Sequence, residues 1–222
     1  MKNRYLAFSL FMVILIYIAS CTPAQQAPQA TPKTGIGANQ PAGQPVAAQP
    51  SGISDEVKQL LDKSKTKVSN VYYKYKGPET GDNYYDFYVK ASKIKYLPYR
   101  EIKVLDKPES YNSVYIDKTA KTSQSYCDDR TCLYKGKKGD LNYDDAYIPT
   151  MLDWIGSLTS AEKIGEEVID DRSTWKVQTD KGILWIDTFY VIPLKIDSHG
   201  KLYRFQQLGV GNVQDSDVTP IS

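Results

Sequence analysis

Three cysteines and a single histidine limit the chemistry this 222-residue chain can attempt. Cys21 closes the run Ile18-Ala19-Ser20-Cys21, which fits a lipobox. That chemistry needs a small residue before the cut and a cysteine after it, whose thiol takes a diacylglyceryl thioether. Acyl chains then hold the mature protein at a membrane. Lys2 and Arg4, followed by the apolar run Leu6 to Ile18, complete a signal peptide over residues 1–20. The alternative, an uncleaved anchor helix, fits less well because the run is shorter than the roughly 20 residues a spanning helix needs. The mature chain is expected to be exported and lipid-anchored at the outer face of a cell-envelope membrane.

The other two cysteines, in Cys127-Asp-Asp-Arg-Thr-Cys132, could clip a short hairpin in an oxidising compartment. Free thiols and a redox or metal pair are the alternatives. The spacing is not Cys-x-x-Cys, and no further Cys or His lies close by. His199 sits in a Ser-His-Gly turn, so Ser-His-Asp, Cys-His and multi-His metal chemistry lack a participant. Asp140-Leu-Asn-Tyr-Asp-Asp145 opens like a calcium loop, but its sixth position is Asp145 rather than Gly and its twelfth is Met151 rather than Glu. It reads as a solvated turn leading into a helix. Glu166, Glu167, Asp170 and Asp171 flank a strand that ends in a turn, and such acids face solvent more often than they form an acid–base pair. No phosphate cradle and no Gly-x-Ser-x-Gly elbow is present. The expectation is a protein that is not an enzyme, with no catalytic residue, metal or cofactor.

Charge excludes another class. The 28 basic residues outnumber the 26 acidic ones only through Lys2 and Arg4, which leave with the leader. A neutral mature chain with no basic block offers no nucleic-acid surface. Residues 21–52 are rich in Pro, Gln, Ala and Gly and carry Lys33 as their only charge. Such a segment cannot bury enough apolar area to fold, and as a flexible tether its ends lie roughly 30 Å apart.

The folded domain is expected over residues 53–222, a length suited to one core. Val57, Leu60, Leu61 and Val68 fall on one side of a helix that Ser54 would cap. The period then becomes two: Val71, Tyr73 and Tyr75, then Tyr85, Phe87 and Val89, predict an antiparallel pair. Ile94 and Tyr96, Ile102 and Val104, and Val114 and Ile116 continue in short strands, and Thr122–Cys127 with Cys132–Lys135 would form the clipped hairpin. Ile148, Met151, Leu152, Ile155 and Leu158 keep helical spacing, with Pro149 suited to a first turn and a short turn expected over Ser160–Ile164. A meander closes the chain. Trp175 and Val177, Ile183 and Trp185, Ile192, Leu194 and Ile196, and Tyr203 and Phe205 are expected on one apolar face. About ten strands with helices gathered on one side make an α+β domain.

The closing order Ile164-Gly165-Glu166-Glu167, Leu184-Trp185-Ile186-Asp187 and Pro193-Leu194-Lys195-Ile196 resembles the LolA/LolB-like, LppX-type lipoprotein-carrier superfamily. The resemblance implies a strongly curved antiparallel sheet, an unclosed half-barrel whose concave side is covered by helices. It implies a monomer that takes an acyl or isoprenoid chain of a lipid or lipoprotein, as in outer-membrane lipoprotein sorting. Tyr73, Tyr75, Phe87, Trp175, Trp185 and Leu194, with Met151, Trp154 and Ile155 on the covering helix, are the candidate walls of that hydrophobic cavity. The alternative within the same fold is an RseB-like envelope sensor or protein-interaction scaffold with a filled core. Sixteen of the 18 tyrosines remain after the leader is removed; they suit either a lipid–water boundary or plain strand propensity.

Overall fold

The computed structural model describes residues 51–98, 102–103, 110–127 and 138–220. The signal peptide, Cys21, most of the tether, Val104 and the run Cys132–Lys135 lie outside these residues.

The chain opens with helix α1 (Asp55–Lys67), whose acidic first turn, Asp55 and Glu56, complements the positive end of the helix dipole. Ser54 makes no side-chain cap; its amide instead donates to the Ala161 carbonyl at 2.9 Å. Val57, Leu60 and Leu61 are buried, as the helical spacing predicts.

Among the described residues thirteen strands follow: β1 (Asn70–Lys76), β2 (Tyr85–Lys90), β3 (Lys93–Leu97), β4 (Ile102–Lys103), β5 (Ser110–Tyr111), β6 (Ser113–Asp117), β7 (Thr122–Tyr126), β8 (Lys138–Leu141), β9 (Ala161–Ile169), β10 (Arg172–Thr179), β11 (Gly182–Asp187), β12 (Pro193–Ser198) and β13 (Lys201–Val210). Strands β4 and β5 pair with each other; the other eleven form one antiparallel sheet in the order β8-β7-β6-β3-β2-β1-β13-β12-β11-β10-β9. The architecture is the α+β half-barrel that the resemblance implies: an open, curved sheet with helices on one face. Register shifts in the β1–β13, β9–β10 and β11–β12 pairs supply bulges that increase local twist.

One cross-strand row runs Val71, Val89, Ile94, Ile116, and the next runs Tyr73, Phe87, Tyr96, Val114. All eight side chains are buried. The stacked rings of Tyr73 and Phe87 (5.2 Å) and of Phe87 and Tyr96 (5.2 Å), with Phe205 edge-on to Tyr73 (5.5 Å), fill this part of the concave face. Such pairs add about 0.5–1.5 kcal/mol each beyond their area.

Two expectations change. Residues Ser160–Ile164, read as a turn, belong largely to β9, because the Ala161 amide and carbonyl bond to Gly52 and Ser54 and recruit the segment to the sheet. In β11 the core-facing residues are Leu184 and Ile186, not Ile183 and Trp185. The β10–β11 pairing sets this phase, with Val177 opposite Leu184 and Trp175 opposite Ile186 on the core side and Lys176 opposite Trp185 on the outer face. A one-residue slip moves every side chain to the opposite face.

The buried hydroxyls separate two roles for tyrosine. Tyr96 donates to the Ala146 carbonyl at 3.2 Å, whereas the Tyr73 hydroxyl finds no well-formed partner among the described residues. Tyr96→Phe is therefore expected to cost about 0.5–1.5 kcal/mol, and Tyr73→Phe to be neutral or stabilising. Urea unfolding of both variants checks this; equal losses would contradict it.

Candidate functional site

The site is built on the segment that joins β8 to β9. These two strands end the sheet on opposite sides, so residues 142–160 must travel from one edge to the other. They do so across the concave face as two short helices, α2 (Tyr143–Ala146) and α3 (Met151–Gly156). Asn142 caps α2, its side chain accepting from the amides of Asp144 and Asp145, and so the motif that begins like a calcium loop becomes a helix start. Among the described residues no cluster of three or more His, Cys, Asp or Glu could hold a metal.

Helix α3 is shorter than its sequence period predicts. Pro149 precedes the cap instead of entering the first turn, and Thr150 forms a reciprocal capping box with Asp153. Asp153 is the electrostatic centre of the site. Its carboxylate accepts from the Thr150 amide at 2.8 Å, the Thr150 hydroxyl at 2.5 Å and the Tyr147 hydroxyl at 2.8 Å, and pairs with Lys118 at 2.9 Å. Burial works to raise its pKa, but the hydrogen bonds from Thr150, Lys118 and Tyr147 outweigh it and hold the carboxyl below its ordinary value. Lys118 lies just after β6, so this pair ties α3 to the first half of the sheet.

With α3 fixed this way, Met151 and Ile155 point into the core. Leu152 and Gly156 lie where two cavities adjoin. One, of about 700 Å³, is walled by Tyr147, Pro149, Trp154 and Ser157 and rimmed by Asp180, Lys181 and His199 from the β10–β11 and β12–β13 turns. The other, of about 630 Å³, lies between α3 and α1 and is lined by Ile53, Leu61, Val68, Ile155 and Leu158, with Lys58 and Asp62 at its edge. Together they form a groove over α3 with an apolar floor and a charged rim. A Cβ at Gly156 would meet nothing within 4 Å, so the groove keeps its width at the point where the cavities adjoin. The Trp154 ring leans on Tyr203 at 5.0 Å, with its indole N–H buried and without a hydrogen-bond partner among the described residues.

The residues expected to wall a cavity are dispersed. Trp154 lines the first cavity and Ile155 the second. Leu194 lines a third, of about 420 Å³, with Arg172, Phe205 and Leu208. Tyr73, Tyr75, Phe87 and Met151 are packed within the core, and Trp175 lies against it, partly buried. Burial pushes the Tyr73 and Tyr75 hydroxyls well above their ordinary pKa. Trp185 is buried on the outer face, its indole N–H donating to Glu167 at 2.6 Å. Cys127 is fully buried just after β7. Sequence reasoning missed Leu152 and Gly156 as groove residues and missed the rim entirely. The helical spacing through Leu152 was the available signal; nothing local connects Lys181 or His199 to α3.

No protein-family model and no curated protein matches this chain. Among solved structures it is similar to MucB, at 15% identity and a TM-score of 0.43 over 76% of this chain and 64% of that one. The chain thus spans less than two thirds of the length of MucB. It is also similar to the lipoprotein LppX of Mycobacterium tuberculosis (14% identity, TM-score 0.39, 68% of this chain and 91% of that one). LprF of Mycobacterium bovis gives 19% identity and a TM-score of 0.42 over 73% and 97%. The fold class rests on the strand order itself and not on these likenesses.

The Asp153 node has a pH signature. Because its folded pKa is lowered, its stabilisation is present above the unfolded carboxylate range, about pH 4, and is lost as pH falls through the folded value. Asp153→Asn should cost about 1–3 kcal/mol at neutral pH. The gap between wild type and variant should narrow as unfolding is measured below about pH 4. A gap independent of pH would contradict the assignment.

Proposed function

We propose that this chain is a membrane-anchored, non-enzymatic lipoprotein whose half-barrel domain receives an acyl or isoprenoid chain of a lipid or lipoprotein at the cell envelope. The observation that carries the reading is the groove over α3, where cavities of about 700 and 630 Å³ adjoin at Leu152 and Gly156. Both volumes lie in the range of sites that bury small ligands. Burying a chain there recovers about 0.8 kcal/mol per methylene, which offsets much of the cost of drawing it from a bilayer. Trp154 and Ile155, with Leu152, are the walls this reading uses. The charged rim would face the ligand's polar end.

Exported residues 53–222 would hang from lipidated Cys21 through the 21–52 tether, as a monomer, with Cys127 and Cys132 closing a clip. The burial of Cys127 supports the clip, since a buried sulfur is shielded from reduction. Without reductant, neither cysteine should alkylate in the unfolded chain; labelling of both would refute the bond.

A second reading, an envelope sensor or interaction scaffold, draws support from the rings of Tyr73, Phe87, Tyr96 and Phe205, which occupy the interior that a larger cargo would need. Gly156→Trp separates the two. A Cβ at Gly156 meets nothing within 4 Å, so the fold is expected to persist while the indole fills the groove. Binding of a fluorescent fatty acid should fall at least about tenfold, equivalent to roughly 1.4 kcal/mol. Undiminished binding in a folded variant would remove the lipid-holding reading.

A further inference from the structure

The rim of the larger cavity carries its charge unevenly. Two turns supply it: Asp180 and Lys181 from the β10–β11 hairpin, Ser198 and His199 from the β12–β13 hairpin. Gly182, at φ +116°, lets them meet. A Cβ there would lie 2.1 Å from the Asp197 carbonyl oxygen, so only glycine brings the first turn this close to the second.

The acids around this rim are engaged by the protein itself. Asp180 Oδ1 accepts from the amides of Thr159 at 3.1 Å and Ser160 at 3.3 Å, which pins the first turn to the segment after α3. Burial works to raise its pKa, but these bonds outweigh it and hold the carboxyl below its ordinary value. Asp197 accepts from the Gly200 amide at 3.0 Å, and Asp153 caps α3 and pairs with Lys118.

The bases have no such partners. Lys181 is half-buried and makes no salt bridge among the described residues. Its ammonium donates to the Ser157 hydroxyl, which in turn donates to the Asp153 carbonyl, so a neutral relay from the end of α3 holds the charge at the groove. An ammonium has three donors, and the relay uses one. Ser198 and His199 line the same cavity and add a hydroxyl and an imidazole N–H. A partly desolvated cation with a neutral partner alone is costly unless a ligand supplies the anion.

We propose that the cargo of this groove is an anionic phospholipid, whose headgroup phosphate sits among Lys181, Ser198 and His199 while its chains lie over α3. This rests on the lipid-holding reading and adds the headgroup chemistry to it. A planar carboxylate is matched best by the fork of an arginine, and no arginine lines this cavity. A point-charge ammonium with donors from two separate turns suits a tetrahedral phosphate.

The test uses the full-length chain in a non-ionic detergent and displacement of a fluorescent fatty acid by two lipids with the same dioleoyl chains, phosphatidic acid and diacylglycerol. Phosphatidic acid should displace the probe at an about tenfold lower concentration, as a charge-assisted contact warrants. Lys181→Gln, which keeps an N–H for Ser157, should cut that advantage below about threefold while diacylglycerol keeps its affinity. Lys121→Gln, in the exposed β6–β7 turn, should leave the advantage within about twofold. Equal displacement by both lipids in the wild-type chain, a comparison that needs no variant, overturns the headgroup assignment and leaves the lipid-holding reading standing. So does an undiminished advantage in folded Lys181→Gln. Displacement by neither lipid removes both. Glycerol 3-phosphate carries the phosphate without the chains; if it displaces the probe as well as phosphatidic acid does, the site takes a free phosphate ester and the assignment falls.

Discussion

The pairing of the first strand with the last governs this molecule. β1 meets β13 at the centre of the sheet, with Tyr75 opposite Phe205, so each half of the chain unrolls as a meander away from that seam. The two meanders end at β8 and β9, on opposite margins of the sheet. The chain between them then has one short route, across the face that the curvature makes concave. Helices α2 and α3 lie there because connectivity sends them there, and their own propensity, in pieces of four and six residues, would not sustain them. The cap at Thr150 and the Asp153–Lys118 pair convert that crossing into a fixed strut.

The strut divides the concave side unequally. Under the first meander, the rings of Tyr73, Phe87 and Tyr96 stack at near-contact distance and leave the interior to the protein itself. On the side of the second meander and α1, α3 presents Leu152 and Gly156, which line both cavities. The same sheet thus combines a rigid aromatic half, which supplies stability, with an open half beside α3. A binding domain needs both, since a groove can be kept free only if other contacts carry the fold.

Much of this was legible in the residues, for reasons that also explain the failures. In β1, β2 and β3 strict alternation holds for whole strands, so Val71, Tyr73, Tyr75, Phe87 and Val89 identified the inner face directly. In β11 the residues Ile183-Leu184-Trp185-Ile186 are all apolar, so alternation fits either face and the rule put Trp185 on the wrong side; only the pairing with β10 fixes the phase. The large aromatic residues also looked like cavity walls because size and hydrophobicity suit a wall and a plug equally well. Only packing tells them apart. The rim formed by Lys181 and His199 depends on two turns reaching the end of α3 from distant points in the chain, a purely tertiary fact.

The central claim is that the groove over α3 is kept vacant for a hydrocarbon chain supplied from outside. Native mass spectrometry of the full-length chain, extracted from its own membrane in mild detergent, tests it most directly. The account predicts a population heavier by a non-covalent, chain-bearing lipid, in addition to the acyl groups on Cys21, and the loss of that population in Gly156→Trp. A single mass carrying the covalent acyl groups alone, under conditions gentle enough to keep weak complexes, would contradict it.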